Sequence, residues 1–126
     1  MPGNWSSYYG FSAASSKLTI NSGTRIHDCG CDSSAPGILI NQANSYLFLN
    51  GGEIYNCTEY GIRVVSGGKV ICPDKNVVSI HDNKTSRTNG SNGQVYIANG
   101  CYWATSESNL NQSQFSQNTS WATFPN

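Results

Sequence analysis

Apolar residues in this chain fall in short runs that alternate with polar ones, and the runs recur in a fixed order. Leu18-Thr19-Ile20 is followed by Ile26-His27-Asp28-Cys29 and Gly37-Ile38-Leu39-Ile40. Leu47-Phe48-Leu49, Ile54-Tyr55-Asn56-Cys57 and Gly61-Ile62-Arg63-Val64 repeat that order. Val70-Ile71-Cys72, Ile80-His81-Asp82-Asn83 and Gly93-Gln94-Val95-Tyr96-Ile97 repeat it again. Equivalent positions lie roughly 23–31 residues apart, the period of a solenoid. The local period is two, that of a strand, and no stretch carries the 3.6-residue apolar period of a helix.

Side chains alternate across a strand, so the repeat can be read column by column. Ile26, Ile54 and Ile80 form one expected buried ladder. Ile38, Ile62 and Val95 form a second, followed two positions on by Ile40, Val64 and Ile97. Leu18, Leu47, Val70 and Cys101 form a third, followed by Ile20, Leu49, Cys72 and Trp103. Short strands separated by turns also fit a β-sandwich. A sandwich, however, has no reason to repeat residue types in the same columns. The expected fold is all-β, a parallel solenoid over residues 10–103. Residues 1–9 are read as a lead-in that folds over its open end. Residues 104–126, polar with Phe115, Trp121 and Phe124 as sparse anchors, are read as a tail or cap.

Composition narrows the partners. A chain of 126 residues is one domain by size. Its seven basic and seven acidic residues are only 11% of the chain, and its formal net charge is zero. No field exists to steer nucleic acid or an anionic membrane, so neither is an expected partner. Met1-Pro2-Gly3-Asn4 lacks the basic residues and apolar run of a signal peptide, and no run is long enough to span a bilayer. Both a cytoplasmic protein and a segment of a longer exported chain fit. The abrupt start of the repeat favours the second, with an extracellular or cell-surface location.

Asn50-Gly51-Gly52-Glu53-Ile54-Tyr55-Asn56-Cys57, Tyr60-Gly61-Ile62-Arg63-Val64 and Gly67-Gly68-Lys69-Val70 resemble coils of right-handed parallel β-helix proteins of the pectin-lyase-like group. Cys101-Tyr102-Trp103-Ala104-Thr105 resembles the aromatic terminal strand of repeat-bearing surface proteins in that group. The resemblance covers roughly residues 10–105. It implies a parallel β-helix of about three to four coils with irregular terminal segments. The group spans polysaccharide lyases, glycoside hydrolases, phage tail proteins and bacterial adhesins, so the resemblance implies architecture and leaves activity open.

The cysteines bear on redox chemistry. Cys29 and Cys57 share a column on successive repeats, where the third repeat has Asn83. Stacked strands lie about 4.7–4.9 Å apart, whereas bridged cysteines need converging Cβ atoms about 3.5–4.5 Å apart. Parallel inward vectors therefore disfavour a Cys29–Cys57 disulfide, and buried thiols acting as small apolar groups are expected. Cys72 and Cys101 are two positions out of register, and Cys31 sits in a corner loop.

Candidate chemistry is sparse. His27-Asp28-Cys29-x-Cys31 suggests zinc, but His27 and His81 are separated by the strand carrying Tyr55, about 9–10 Å by strand spacing. Two ligands must approach within roughly 4 Å to share an ion, so no metal or other cofactor is expected. Polysaccharide chemistry needs two carboxylates converging within roughly 5–10 Å, or several oxygens around one hard cation. Asp28 and Asp82 share a column with Asn56 between them. Short polar residues there suit corners that adopt left-handed geometry. No catalytic residue is expected.

An outward polar and aromatic face remains. His27, Tyr55 and His81 make one column, Leu39, Arg63 and Tyr96 a second, and Thr19, Phe48 and Ile71 a third. Aromatic rings beside polar groups suit sugar rings and equally suit lateral packing. The candidate carbohydrate-contact residues are His27, Tyr55, His81, Arg63 and Tyr96. The expected function is a non-catalytic module of an extracellular or surface-associated protein, for presentation or adhesion, whose partners are a glycan or neighbouring β-helix coils or domains. The alternative is a fragment of a pectin-lyase-like carbohydrate-active enzyme whose catalytic coils lie outside this chain.

Overall fold

The computed structural model describes residues 11–30, 33–90 and 92–126. The lead-in at 1–9, Cys31 and Asp32 lie outside the described residues. The chain is all-β, built from parallel sheets whose strands pair at intervals of three. Strands β1 (Phe11–Ala14), β4 (Ile38–Asn41), β7 (Ile62–Val65) and β10 (Val95–Ile97) form one parallel run. Strands β2 (Lys17–Ile20), β5 (Tyr46–Leu49), β8 (Lys69–Ile71) and β11 (Tyr102–Ala104) form the second. Strands β3 (Arg25–His27), β6 (Gly52–Tyr55) and β9 (Val78–His81) form the third. A last strand, β12 (Thr119–Trp121), joins the first sheet antiparallel to β10.

The pairing register sets like side chains against like. Ile26 faces Ile54 and Ile54 faces Ile80. Ile38 faces Ile62 and Ile62 faces Val95, with Ile40, Val64 and Ile97 two places on. All nine are buried and pack in one core cluster. Burying each such aliphatic side chain contributes about 1.5–3 kcal/mol, so these ladders dominate the hydrophobic term.

Left-handed corners link the third sheet to the first. Asp28, Asn56 and Asp82 each have φ near +57°. Short polar side chains take this conformation at lower cost than branched ones. Beyond the corner, Gly61 is required by space: a Cβ there would lie 2.7 Å from Asn83 Nδ2 and 2.8 Å from Ile80 Cγ2.

The structure corrects one column assignment and the exposure expected of two outward residues. Trp103, not Cys101, faces Val70 across β8 and β11. The slip is two residues, which keeps both side chains on the inner face. Trp103 ends the second sheet, where its ring meets Trp121 edge-on at 4.9 Å and Phe124 at 5.9 Å. Ile71 keeps its outward column beside Phe48 but is buried, because the 3-10 turn Glu107–Gln112 lays Leu110 over Ile71 and Ala104 as a second apolar cluster. Leu39 is also buried, flanked in its sheet by Ser12 and Arg63. An interior strand paired on both edges leaves it less surface than alternation alone implies.

Candidate functional site

The third sheet presents the clearest outward constellation. His27, Tyr55 and His81 close β3, β6 and β9 in one register. Strand spacing of about 4.8 Å is close to the contact distance of flat rings. The His27 and Tyr55 centroids are 4.9 Å apart with planes 9° from parallel, and those of Tyr55 and His81 are 5.3 Å apart and 3° from parallel. Tyr55 is thus covered on both faces, and its ring fills the space between the two imidazoles.

Carboxylates frame this stack. Glu53, two residues before Tyr55 and on the same face, reaches both neighbouring strands. Its Oε1 lies 3.6 Å from Arg25 Nε and its Oε2 lies 2.7 Å from His81 Nε2. His81 Nδ1 lies 2.7 Å from Asp82 Oδ2, and His27 Nδ1 lies 2.6 Å from Asp28 Oδ2. A neutral imidazole can donate from only one nitrogen. With a carboxylate at each nitrogen, the imidazolium form of His81 is favoured. The hydrogen bond to Glu53, then that to Asp82, raises its pKa above the ordinary histidine value, against a smaller opposing effect of burial.

Arg63 and Tyr96 sit elsewhere, paired across β7 and β10. The Arg63 guanidinium lies 5.7 Å from the Tyr96 ring centroid and its Nη1 lies 3.3 Å from Glu59 Oε1. Tyr60 tilts against Tyr96 at 5.3 Å. The five carbohydrate-contact candidates therefore fall in two clusters on different sheets. Among the described residues no hydrogen bond, ion pair or ring contact joins them.

The inner face of the same corner is polar where the repeat departs from its pattern. Asn83 is buried and stands opposite Cys57. Its Oδ1 accepts from the Cys57 N–H at 2.9 Å, and its Nδ2 donates to Ile54 O at 3.2 Å and Gln94 Oε1 at 3.0 Å. Cys57 carries a free thiol, so it forms no disulfide with Cys29. A hydrogen bond with Cys29, together with burial, pushes the Cys57 thiol pKa well up.

Two groupings were missed in the sequence. Lys17, Tyr46, Lys69 and Tyr102 alternate along one outer column of the second sheet. Lys17 and Lys69 lie 5.4 and 5.5 Å from the Tyr46 centroid, and Lys69 lies 5.1 Å from that of Tyr102. The repeat alignment already placed Lys17, Tyr46 and Lys69 in one column, and the two-residue slip at Cys101 hid Tyr102 from it. The second grouping, Trp103 with Trp121 and Phe124, left no such signal, because an antiparallel return brings the tail back. Among the described residues there is no group of three or more His, Cys, Asp or Glu side chains placed to hold a metal ion, and no helix long and apolar enough to cross a membrane. Comparison with protein-family models, curated proteins and solved structures gave no match to this chain.

Proposed function

We propose that this chain is a right-handed parallel β-helix module of about three to four coils, non-catalytic, that serves presentation or adhesion within an extracellular or surface-associated protein. The observation that carries this reading is the strand order. Each parallel pair joins a strand to the one three places on, so successive triplets lie in register. Such a stack has a long lateral face, and among the described residues no strand pairs with the outer edges of β1, β2 and β3, a form suited to joining further coils at that end.

The outward polar groups support a non-catalytic role because they are committed to one another. Glu53 is held between Arg25 and His81, while Asp28 and Asp82 each serve the adjacent histidine, with Asn56 between them. Glycan contact on this face would be through ring edges and hydroxyls, since stacking already covers Tyr55. A shallow site of this kind binds at about millimolar strength, or about 4 kcal/mol.

The test pairs a glycan array with a turnover assay on polygalacturonate, with and without calcium. The expected result is weak array binding that Tyr55→Ala weakens, and no cleavage product. Calcium-dependent cleavage that disappears in Asp28→Asn or Asp82→Asn would replace this reading with that of an enzyme fragment.

A further inference from the structure

Among the described residues the third sheet has three strands where the second has four, and none pairs with β9 on the side away from β6. The corner at 72–76, Trp103 and Thr105 at β11, and the returning tail bound a cavity of about 460 Å³. Its walls include Trp103, Trp121 and Phe124, and its rim includes Asp74, Lys75 and Thr105. All three aromatic side chains are only partly buried, so ring surface is left for a ligand.

We infer that this cavity is a saccharide-binding site that takes one neutral pyranose ring against the Trp103–Trp121–Phe124 wall. The volume falls within the range of small-molecule sites, which are concave, mostly apolar and carry a few placed polar groups. The axial C–H faces of a pyranose suit aromatic surface, while its hydroxyls need both donors and acceptors. The rim supplies them: Asp74 accepts through Oδ2 while its Oδ1 takes the Asn76 N–H, the Lys75 ammonium donates, and the Thr105 hydroxyl, which accepts from Asn109 Nδ2, donates. Asp74 and Lys75 are adjacent and opposite in charge, which selects for a neutral ligand over an ionic one. Lys75 reaches across to Asn126 O at 3.4 Å, so the rim already links the tail to the corner. The T-shaped Trp103–Trp121 pair fixes the wall before a ligand arrives, which lowers the ordering cost of binding.

The inference shares its ligand class with the proposed function and places the sugar at a different site. Titration of the labelled protein with methyl glucoside, methyl galactoside and methyl mannoside, followed by amide and indole NMR signals, tests it. At least one glycoside should shift the indole N–H signals of Trp103 and Trp121. Tyr55→Ala should leave that response intact, while Asp74→Ala, Lys75→Ala and Phe124→Ala should each weaken it at least tenfold with signal dispersion retained. Shifts confined to Tyr55 and His81 would overturn the cavity and leave the carbohydrate part of the proposed function standing. Binding in the cavity of free indole, titrated as a fourth probe, without any glycoside response would overturn the ligand class. A cavity silent to all four probes would overturn the inference entirely.

Discussion

Asn83 and Gln94 replace, in the third triplet, the residues that stand as Cys57 and Gly61 in the second, and their side-chain amides bond to each other at 3.0 Å. The two departures from the repeat compensate. Gln94 Oε1 also accepts from the Asn83 N–H at 3.2 Å, and Gln94 Nε2 donates to Ala122 O at 3.2 Å. One buried amide pair thus stitches the corner to the tail. Among the described residues no buried side-chain polar atom lacks a partner.

Asn83→Leu is expected to destabilise strongly. It leaves the Cys57 N–H without its buried acceptor, at about 1–3 kcal/mol for the unsatisfied group, and removes one of the two Asn83 donors to Gln94 Oε1. Urea unfolding should show a lower midpoint with little change in slope. An unaltered midpoint would mean that water replaces the amide freely.

Ile54→Ala should cost roughly 2–5 kcal/mol as a cavity in a tightly packed ladder. Ile54 is fully buried between Ile26 and Ile80. Denaturant unfolding checks it, and a loss below about 1 kcal/mol would show that the column collapses on the gap.

These two positions show what was legible in the sequence. The Ile26–Ile54–Ile80 ladder was legible because a period of two and the solenoid repeat both mark it. The corner residues Asp28, Asn56 and Asp82 were legible for the same reason, as short polar side chains at a recurrent bend. The burial of Ile71 was not, because its cover is Leu110, which lies outside the repeat and carries no periodic signal. The ring stack was half legible. Alignment placed His27, Tyr55 and His81 in one column, but the column does not say whether rings turn their faces outward or toward one another.

Asn56 offers a backbone test. At φ +57° it tolerates Gly, while a β-branched residue is strained. Asn56→Val is expected to lower stability by about 1–3 kcal/mol and Asn56→Gly to change it little. Thermal unfolding of the two variants distinguishes this from a side-chain role, in which both substitutions would lose the same amount.

The buried thiols should be inert in the native state. Cys57 and Cys101 are inaccessible, and burial pushes the Cys72 thiol up to about 11. The thiolate is the nucleophile. Iodoacetamide at pH 8 should therefore leave Cys57, Cys72 and Cys101 unmodified until denaturant is added, with no Cys29–Cys57 crosslinked peptide by mass spectrometry. Native-state alkylation of Cys57 would contradict its placement under the corner.

His81 gives the pH dependence. Its folded-state pKa is raised above the unfolded value by Glu53 and Asp82, so the folded protein holds this proton more tightly than the unfolded chain does. The associated stability is fully present below the unfolded pKa of about 6.5 and is lost as pH rises through the folded pKa. The window therefore opens near neutrality and extends to the alkaline side. The amount is small, since the His81 side chain is 42% exposed and solvent screens the pair; about 1 kcal/mol is an upper bound. Glu53→Gln removes the carboxylate at Nε2 and should bring the His81 titration, followed by its imidazole proton shifts, back toward the ordinary range. The same variant should flatten the decline in melting temperature between pH 6.5 and 8. An unchanged His81 titration in Glu53→Gln would show that the Nε2 contact does not hold the proton, leaving Asp82 alone to raise it.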